Sequence, residues 1–195
     1  MESKQKTGLK AFIRKKPTVL ILGTFPGEET LQNAKEYYCS SKNSFWHIIF
    51  SLYKKNDYKE DEKYFEYDQT KKNQALDSLH IALWDIYQNV TRVKNNKDSS
   101  IKTETSEDSD IKNYIYNDVF HFLMKHQSIK YVVYNGTSKR YDKFEANLRE
   151  QFKKEQKQVN VQFKKLISTS NSCSKKNRKG KIEEWENWWN KKDQT

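Results

Sequence analysis

The stretch Thr18-Val-Leu-Ile-Leu-Gly-Thr-Phe-Pro-Gly27 decides the fold. Thr18 to Leu22 is apolar without alternation, the pattern of a strand buried on both faces, and such strands belong to parallel sheets covered by helices. The strand runs into Gly23–Gly27, where Pro26 fixes φ and two glycines let backbone approach a ligand closely. Glu28 to Tyr37 then reads as a helix, and Ser44 to Leu52 as a second, mostly buried one. Lys130 to Tyr134 is a second buried strand, and Val159 to Ile167 a third strand. Between and after them come helical stripes: Ser109 to His126, Tyr141 to Phe152, and a last helix with Trp185, Trp188 and Trp189. Strands alternating with helices predict an α/β fold, a three-layer α/β/α sandwich around a short, mainly parallel sheet of about four strands. Ligands of such sheets sit at the carboxyl ends of the strands, so the polar segments 23–27, 135–138 and 168–172 should converge on one rim.

The remaining stretches carry weaker signals. Tyr53 to Asn73 is charged and studded with aromatics, and Ile81 to Tyr87 is apolar but too short to type. Lys94 to Glu107 is rich in Ser, Thr and Asn and reads as a polar, mobile insert. Residues 1–16 form a basic arm expected to fray, and residues 17–195 a single domain. A length of 195 residues suffices for one genuine core.

Charged residues make up 32% of the chain and hydrophobic ones 34%, which alone suggests disorder. The 14% of aromatic residues argues for a folded core under a charged skin. The net charge of +11 favours a polyanionic partner, because neutralised phosphates release condensed counterions. A generally Lys- and Asn-rich proteome gives the same excess. Cys39 and Cys173 have no metal or disulfide spacing, and with no secretory hydrophobic core at the start the expectation is an intracellular protein. That means the nucleus in a eukaryote and the cytoplasm in a bacterium. No apolar run approaches the ~20 residues that span a bilayer, so no membrane is expected. His47, His80, His121 and His126 show no ligand spacing with the cysteines, and neither metal nor cofactor is expected.

Three stretches together resemble the uracil-DNA glycosylase superfamily, most closely its hypoxanthine-DNA (deoxyinosine) glycosylase branch. They are Leu22-Gly-Thr-Phe-Pro-Gly27; Glu36-Tyr-Tyr38 with Lys42-Asn-Ser-Phe-Trp46; and Ser168-Thr-Ser170. Ala82-Leu-Trp-Asp85, Asp108-Ser-Asp-Ile111, Asn117-Asp118 and Asn135-Gly136 are weaker echoes. The pieces run in the family's order from about Val19 to Trp189. Where the family continues its closing loop with Pro, this chain has Asn171.

The resemblance implies a monomeric, monofunctional DNA glycosylase that removes a deaminated base, hypoxanthine first and uracil second. Such an enzyme flips the nucleotide from the stack and stabilises charge as the N-glycosidic bond breaks. Relatives often carry Asp or Asn at the third loop position to orient water. Here it is Phe25, so the resemblance places the work on Asn43, whose amide has an acceptor for water and donors for a base. Asn43 can equally cap the helix that follows. The implied base pocket is Gly23, Thr24, Phe25, Pro26, Gly27 and Tyr38, with Phe25 and Tyr38 as stacking rings. Tyr37, Phe45, Trp46 and the three C-terminal tryptophans read as core. Asp85 orients a neighbour or serves as a structural acceptor. Ser168, Thr169, Ser170 and Asn171, with Lys175, Lys176, Arg178 and Lys179, are the expected DNA contacts. A catalytically silent nucleic-acid-binding relative is the alternative. A nucleotide-binding protein is disfavoured, since no phosphate-loop Lys follows the glycines.

Overall fold

The computed structural model describes residues 5–33, 36–92 and 111–194, so the polar insert expected at 94–107 lies outside the described residues. In chain order the elements are β1 (Gln5–Thr7), β2 (Val19–Gly23), α1 (Glu28–Asn33), α2 (Phe45–Lys54), α3 (Gln69–Ser78), β3 (Ile81–Asp85) and β4 (Tyr87–Arg92). There follow β5 (Ile111–Tyr116), α4 (Val119–Lys125), β6 (Tyr131–Asn135), α5 (Lys139–Lys154), β7 (Gln162–Leu166) and α6 (Arg178–Lys191). Four strands make a parallel sheet in the order β3-β2-β6-β7, and three make a small antiparallel sheet in the order β1-β4-β5.

The parallel sheet is the middle of three layers, as the unbroken apolar strands require. Successive residues of β2 face opposite sides: Val19 and Ile21 pack under α2, α3 and α6, whereas Leu20 and Leu22 pack under α4 and α5. Tyr131 and Val133 of β6 join the first layer, and Val132 and Tyr134 the second. Because β2 is covered on both faces, Val19, Leu20 and Leu22 are all fully buried, whereas the edge strand β7 is buried only at Leu166. The untyped run Ile81–Tyr87 becomes β3 and the start of β4. The antiparallel sheet extends the second layer through Tyr87, Val90 and Ile111.

Three local expectations are corrected. The stripe over Ser109–His126 is not one helix: Ile111–Tyr116 is a strand paired with β4, and only Val119–Lys125 is helical. Spacing of four from Ile111 to Ile115 to Val119 mimics a helix, but Ile115 is 51% exposed on the sheet. Asp118 breaks the stripe by capping α4, accepting the His121 N–H at 3.1 Å. The helix expected to reach Tyr37 is described only to Asn33, and Tyr38 stands in a turn with φ of 58°. The N-terminal arm does not fray in its described part. Gln5–Thr7 pairs with β4, and Phe12 exchanges backbone hydrogen bonds with Leu83 at 2.8 and 2.9 Å.

The aromatic-studded segment 53–73 closes over α2 as a ring cluster. Phe50 and Tyr64 stack at 4.7 Å, and Tyr58 stacks on Tyr64 at 5.4 Å. His47 is sealed beneath them, 2% exposed, with Nδ1 3.1 Å from the Tyr58 hydroxyl. Burial first, and the Arg178 charge second, lower its pKa from 6.5 to about 4. The folded chain therefore holds His47 neutral across a range in which the unfolded chain binds a proton. Stability from this site is complete above pH 6.5 and declines as the pH falls toward 4, by at most ~1.4 kcal/mol per pH unit. Urea unfolding at pH 7.5, 6 and 5 should show this decline, and His47→Asn should remove part of it. An equal decline in both proteins would exclude His47 as its source.

Candidate functional site

The parallel register brings the ends of the four strands level. Gly23 lies beside Asp85, and Asn135 beside Leu166. The segments after β2, β6 and β7 therefore meet on one rim, where side chains that could not be buried singly satisfy one another. Thr24 donates its hydroxyl to the Tyr141 hydroxyl at 3.1 Å, and Tyr141 donates onward to the Asn135 carbonyl at 3.2 Å. The Asn135 side chain reaches across to Thr169 twice. Its Nδ2 donates to the Thr169 hydroxyl at 2.9 Å, and its Oδ1 accepts the Thr169 N–H at 2.8 Å. The Thr169 carbonyl accepts the Ser44 N–H at 2.9 Å, which anchors the start of α2 to the same loop.

Asn43 stands at that start, half-buried. Its Oδ1 accepts the Phe45 N–H at 2.9 Å, so the cap is made. A carbonyl oxygen has a second lone pair, and among the described residues Nδ2 takes no partner. The capping contact thus orients the amide without exhausting it.

The post-β2 loop supplies a close wall. Gly23, Thr24, Phe25 and Pro26 are buried, and Gly27 is half-buried with open space where a Cβ would stand. Phe25 packs among Leu20, Leu22 and Tyr87, so most of its ring is core. Tyr38 stacks on Phe45 with centroids 3.8 Å apart, which covers one ring face. A Cβ at Gly23 would meet Asp85 Oδ1 at 2.3 Å and the Tyr38 hydroxyl at 3.2 Å. Only glycine permits that approach. Asp85 is 4% exposed, and Asn117 donates to its carbonyl at 2.8 Å. Burial chiefly, and then the Asp85 charge, push the hydroxyls of Tyr37 and Tyr38 well above the usual phenol range, so both stay protonated.

The loop 168–172 divides into inner and outer residues. Thr169 is fully buried and holds the framework, which leaves Ser168, Ser170 and Asn171 as the side chains within reach of a ligand. Ser170 and Ser172 share a hydroxyl hydrogen bond at 2.8 Å. Beyond them Lys175, Lys176 and Lys179 are exposed and Arg178 is half-buried. Lys176 is drawn back to Glu184 at 2.8 Å. Lys181 is unlike its neighbours: 3% exposed, it donates to the Ser170 carbonyl at 2.6 Å, and burial lowers its pKa.

The sequence places Asn135 on the rim only as part of the segment 135–138 and gives Tyr141 and Lys181 no site role. A polar residue closing an apolar strand was the available signal for Asn135. Nothing local marks Tyr141, a helical residue by periodicity, or Lys181, one of many lysines. Among the described residues no group of three or more His, Cys, Asp or Glu is placed to hold a metal ion, and no helix is long and apolar enough to cross a membrane.

No protein-family model matches the chain, and no curated protein matches it. Solved structures do. One is the solution NMR structure of a putative uracil DNA glycosylase from Methanosarcina acetivorans, 24% identical, with a TM-score of 0.67. The match covers 95% of this chain and 97% of that one, so the likeness spans the whole fold.

The rim geometry yields a prediction for Asn135. Asn135→Ala strands the buried amide and hydroxyl of Thr169, at a cost of ~1–3 kcal/mol for each group left unsatisfied. Asn135→Asp, which keeps an acceptor for the Thr169 N–H, should lose less. Denaturant midpoints of the two variants test the ranking, and equal losses would refute it.

Proposed function

We propose that the protein is a DNA glycosylase of the uracil-DNA glycosylase superfamily, acting on a deaminated base, hypoxanthine first and uracil second. The observation that carries the reading is the convergence of the Gly23–Gly27 loop, Asn43 and the 168–172 loop on one rim. These are the segments that carry the family resemblance, and the likeness to the Methanosarcina protein along the whole fold supports it. DNA is then the partner, as the net charge of +11 favours, with the chain acting as a monomer inside the cell.

The chemistry asks little of the side chains. A base flipped out of the stack enters beside Gly23–Gly27 and stacks on the face of Tyr38 that Phe45 leaves uncovered. As the N-glycosidic bond breaks, its electron pair leaves with the base and positive charge grows on the sugar. Water then forms the new bond to the anomeric carbon, and the proton it loses balances the one the departed base takes up. Asn43 Nδ2 donates toward the departing base or the sugar, while Oδ1, already aligned by the Phe45 N–H, accepts from the water. Ser168, Ser170, Asn171, Lys175, Lys176, Arg178 and Lys179 hold flanking phosphates, which position the lesion without reading it.

The deciding experiment incubates the protein with duplexes carrying one inosine, one uracil or one thymine mismatch, then cleaves abasic sites with alkali. Strand scission at inosine or uracil supports the reading. The engaged Oδ1 of Asn43 also fits a catalytically silent DNA-binding relative, which would bind all three duplexes and cut none.

Asn43→Ala should lower the single-turnover rate by ~10²–10³, the loss typical of one pre-organised donor. Binding to abasic DNA should change little, because phosphate contacts dominate affinity. A purely capping Asn43 would instead cost ~0.5–2 kcal/mol of stability and leave chemistry intact in the folded fraction. Thermal midpoint and single-turnover rate measured on the same variant separate the two roles.

The basic loop makes a different demand. Replacing Lys175 and Lys179 together with Ala should weaken binding to every sequence alike, and lower the salt slope by ~1 per contact removed. An unchanged slope would make these lysines solvated surface.

A further inference from the structure

A cavity of about 390 Å³ lies on the α2–α3 side of the sheet; Tyr37 is in its wall, and none of Gly23–Gly27, Tyr38, Asn43 or 168–172 lines it. Its walls include Leu9 and Phe12 of the N-terminal segment, Tyr37, Trp46 of α2, and Gln69 and Leu76 of α3. The N-terminal segment is its outer wall and is firmly held. The Tyr37 hydroxyl donates to the Lys10 carbonyl at 3.0 Å, and Trp84 Nε1 donates to the Leu9 carbonyl at 3.3 Å. Volumes of ~300–1,000 Å³ are typical of small-molecule sites.

Two of the lining residues carry a buried polar atom without a hydrogen-bond partner among the described residues, Trp46 at Nε1 and Gln69 at Oε1. Trp46 is 2% exposed, so its indole N–H is removed from bulk water. The Gln69 amide is oriented by its other end, where Nε2 donates to Asn73 Oδ1 at 2.7 Å. That contact leaves the oxygen as the open atom. An indole nitrogen only donates and an amide oxygen only accepts. A buried polar atom left unsatisfied is costly, so the pair favours an occupant that accepts from one and donates to the other. The buried charge on this side is paired, and Lys10, also in the lining, is exposed. Glu36, also in the lining, pairs with the buried Lys72 at 2.6 Å, and the Lys72 ammonium sits 5.2 Å from the Trp46 ring centre. The rest of the wall is largely apolar or aromatic, which suits a flat ring.

We propose that this cavity is a second binding site, for a small neutral ring compound carrying a lactam. The lactam carbonyl accepts from Trp46 Nε1, and its N–H donates to Gln69 Oε1. The site is independent of the activity assigned to the rim, so neither reading falls with the other.

The test titrates the full-length, ¹⁵N-labelled protein with quinolin-2(1H)-one and, separately, with its N-methyl derivative, which keeps the carbonyl and loses the donor. The Trp46 indole signal is identified by its absence in Trp46→Phe. The lactam should move that signal with a dissociation constant of ~1 mM or tighter. The N-methyl compound should bind about tenfold more weakly, the loss of one satisfied hydrogen bond. Gln69→Leu, at a half-exposed position, should erase the difference between the two probes. A Trp46 signal unmoved up to the solubility limit overturns the proposal and leaves the two atoms to a bridging water. Equal binding of both probes by the unsubstituted protein overturns it as well.

Discussion

Thr169 is fully buried, and its amide, hydroxyl and carbonyl are all engaged, the first two by the Asn135 side chain and the third by the Ser44 amide. These bonds tie the end of β6, the loop after β7 and the start of α2 into one unit. Removed from water, each is stronger than its surface equivalent, and each would be costly to leave unmade. The position of Asn43 follows from them, because it directly precedes the residue whose amide is held. So does the shape of the 168–172 loop, whose inner residue is fixed while Ser168, Ser170 and Asn171 remain outward.

The same economy governs the other half of the rim. Tyr141 relays between Thr24 and the Asn135 carbonyl, so the β2 loop and the β6 end cannot move independently. Gly23 is small because Asp85 and Tyr38 crowd it, and Tyr38 accepts a φ of 58° in the turn that brings it there. Backbone held away from its preferred region persists only where surrounding contacts over-determine it. Here the Phe45 stack and the neighbouring strand end supply those contacts. Lys181 extends the pattern to the closing loop, where its buried ammonium grips the Ser170 carbonyl next to Asn171.

Much of this was legible beforehand, and the misses have physical causes. The two central strands, β2 and β6, read correctly because double burial removes alternation, a signal that needs no knowledge of neighbours. Ser109–His126 misled because spacings of four serve a helix, and also arise by chance in a strand whose Ile115 is left exposed. The N-terminal arm misled because a short basic segment has no pattern of its own; it is ordered by pairing with β4 and Leu83, partners that lie about 70 to 85 residues away in the chain.

The three-layer arrangement, the central strands β2 and β6 and the three polar segments at the rim are written in the sequence. These follow from local hydrophobicity and from Gly and Pro at fixed places. Tertiary structure alone decided which polar residues face inward. Thr169 and Ser170 are neighbours with similar side chains, yet one is sealed in the framework and the other looks outward. Lys181 and Lys179 are both lysines of one basic run, yet one is buried against a carbonyl and the other is in water. The reason is that burial of a polar group is set by the partner waiting for it: Asn135 and Ser44 meet Thr169 only once the chain is folded, and Ser170 meets Lys181 only where the loop packs on α6.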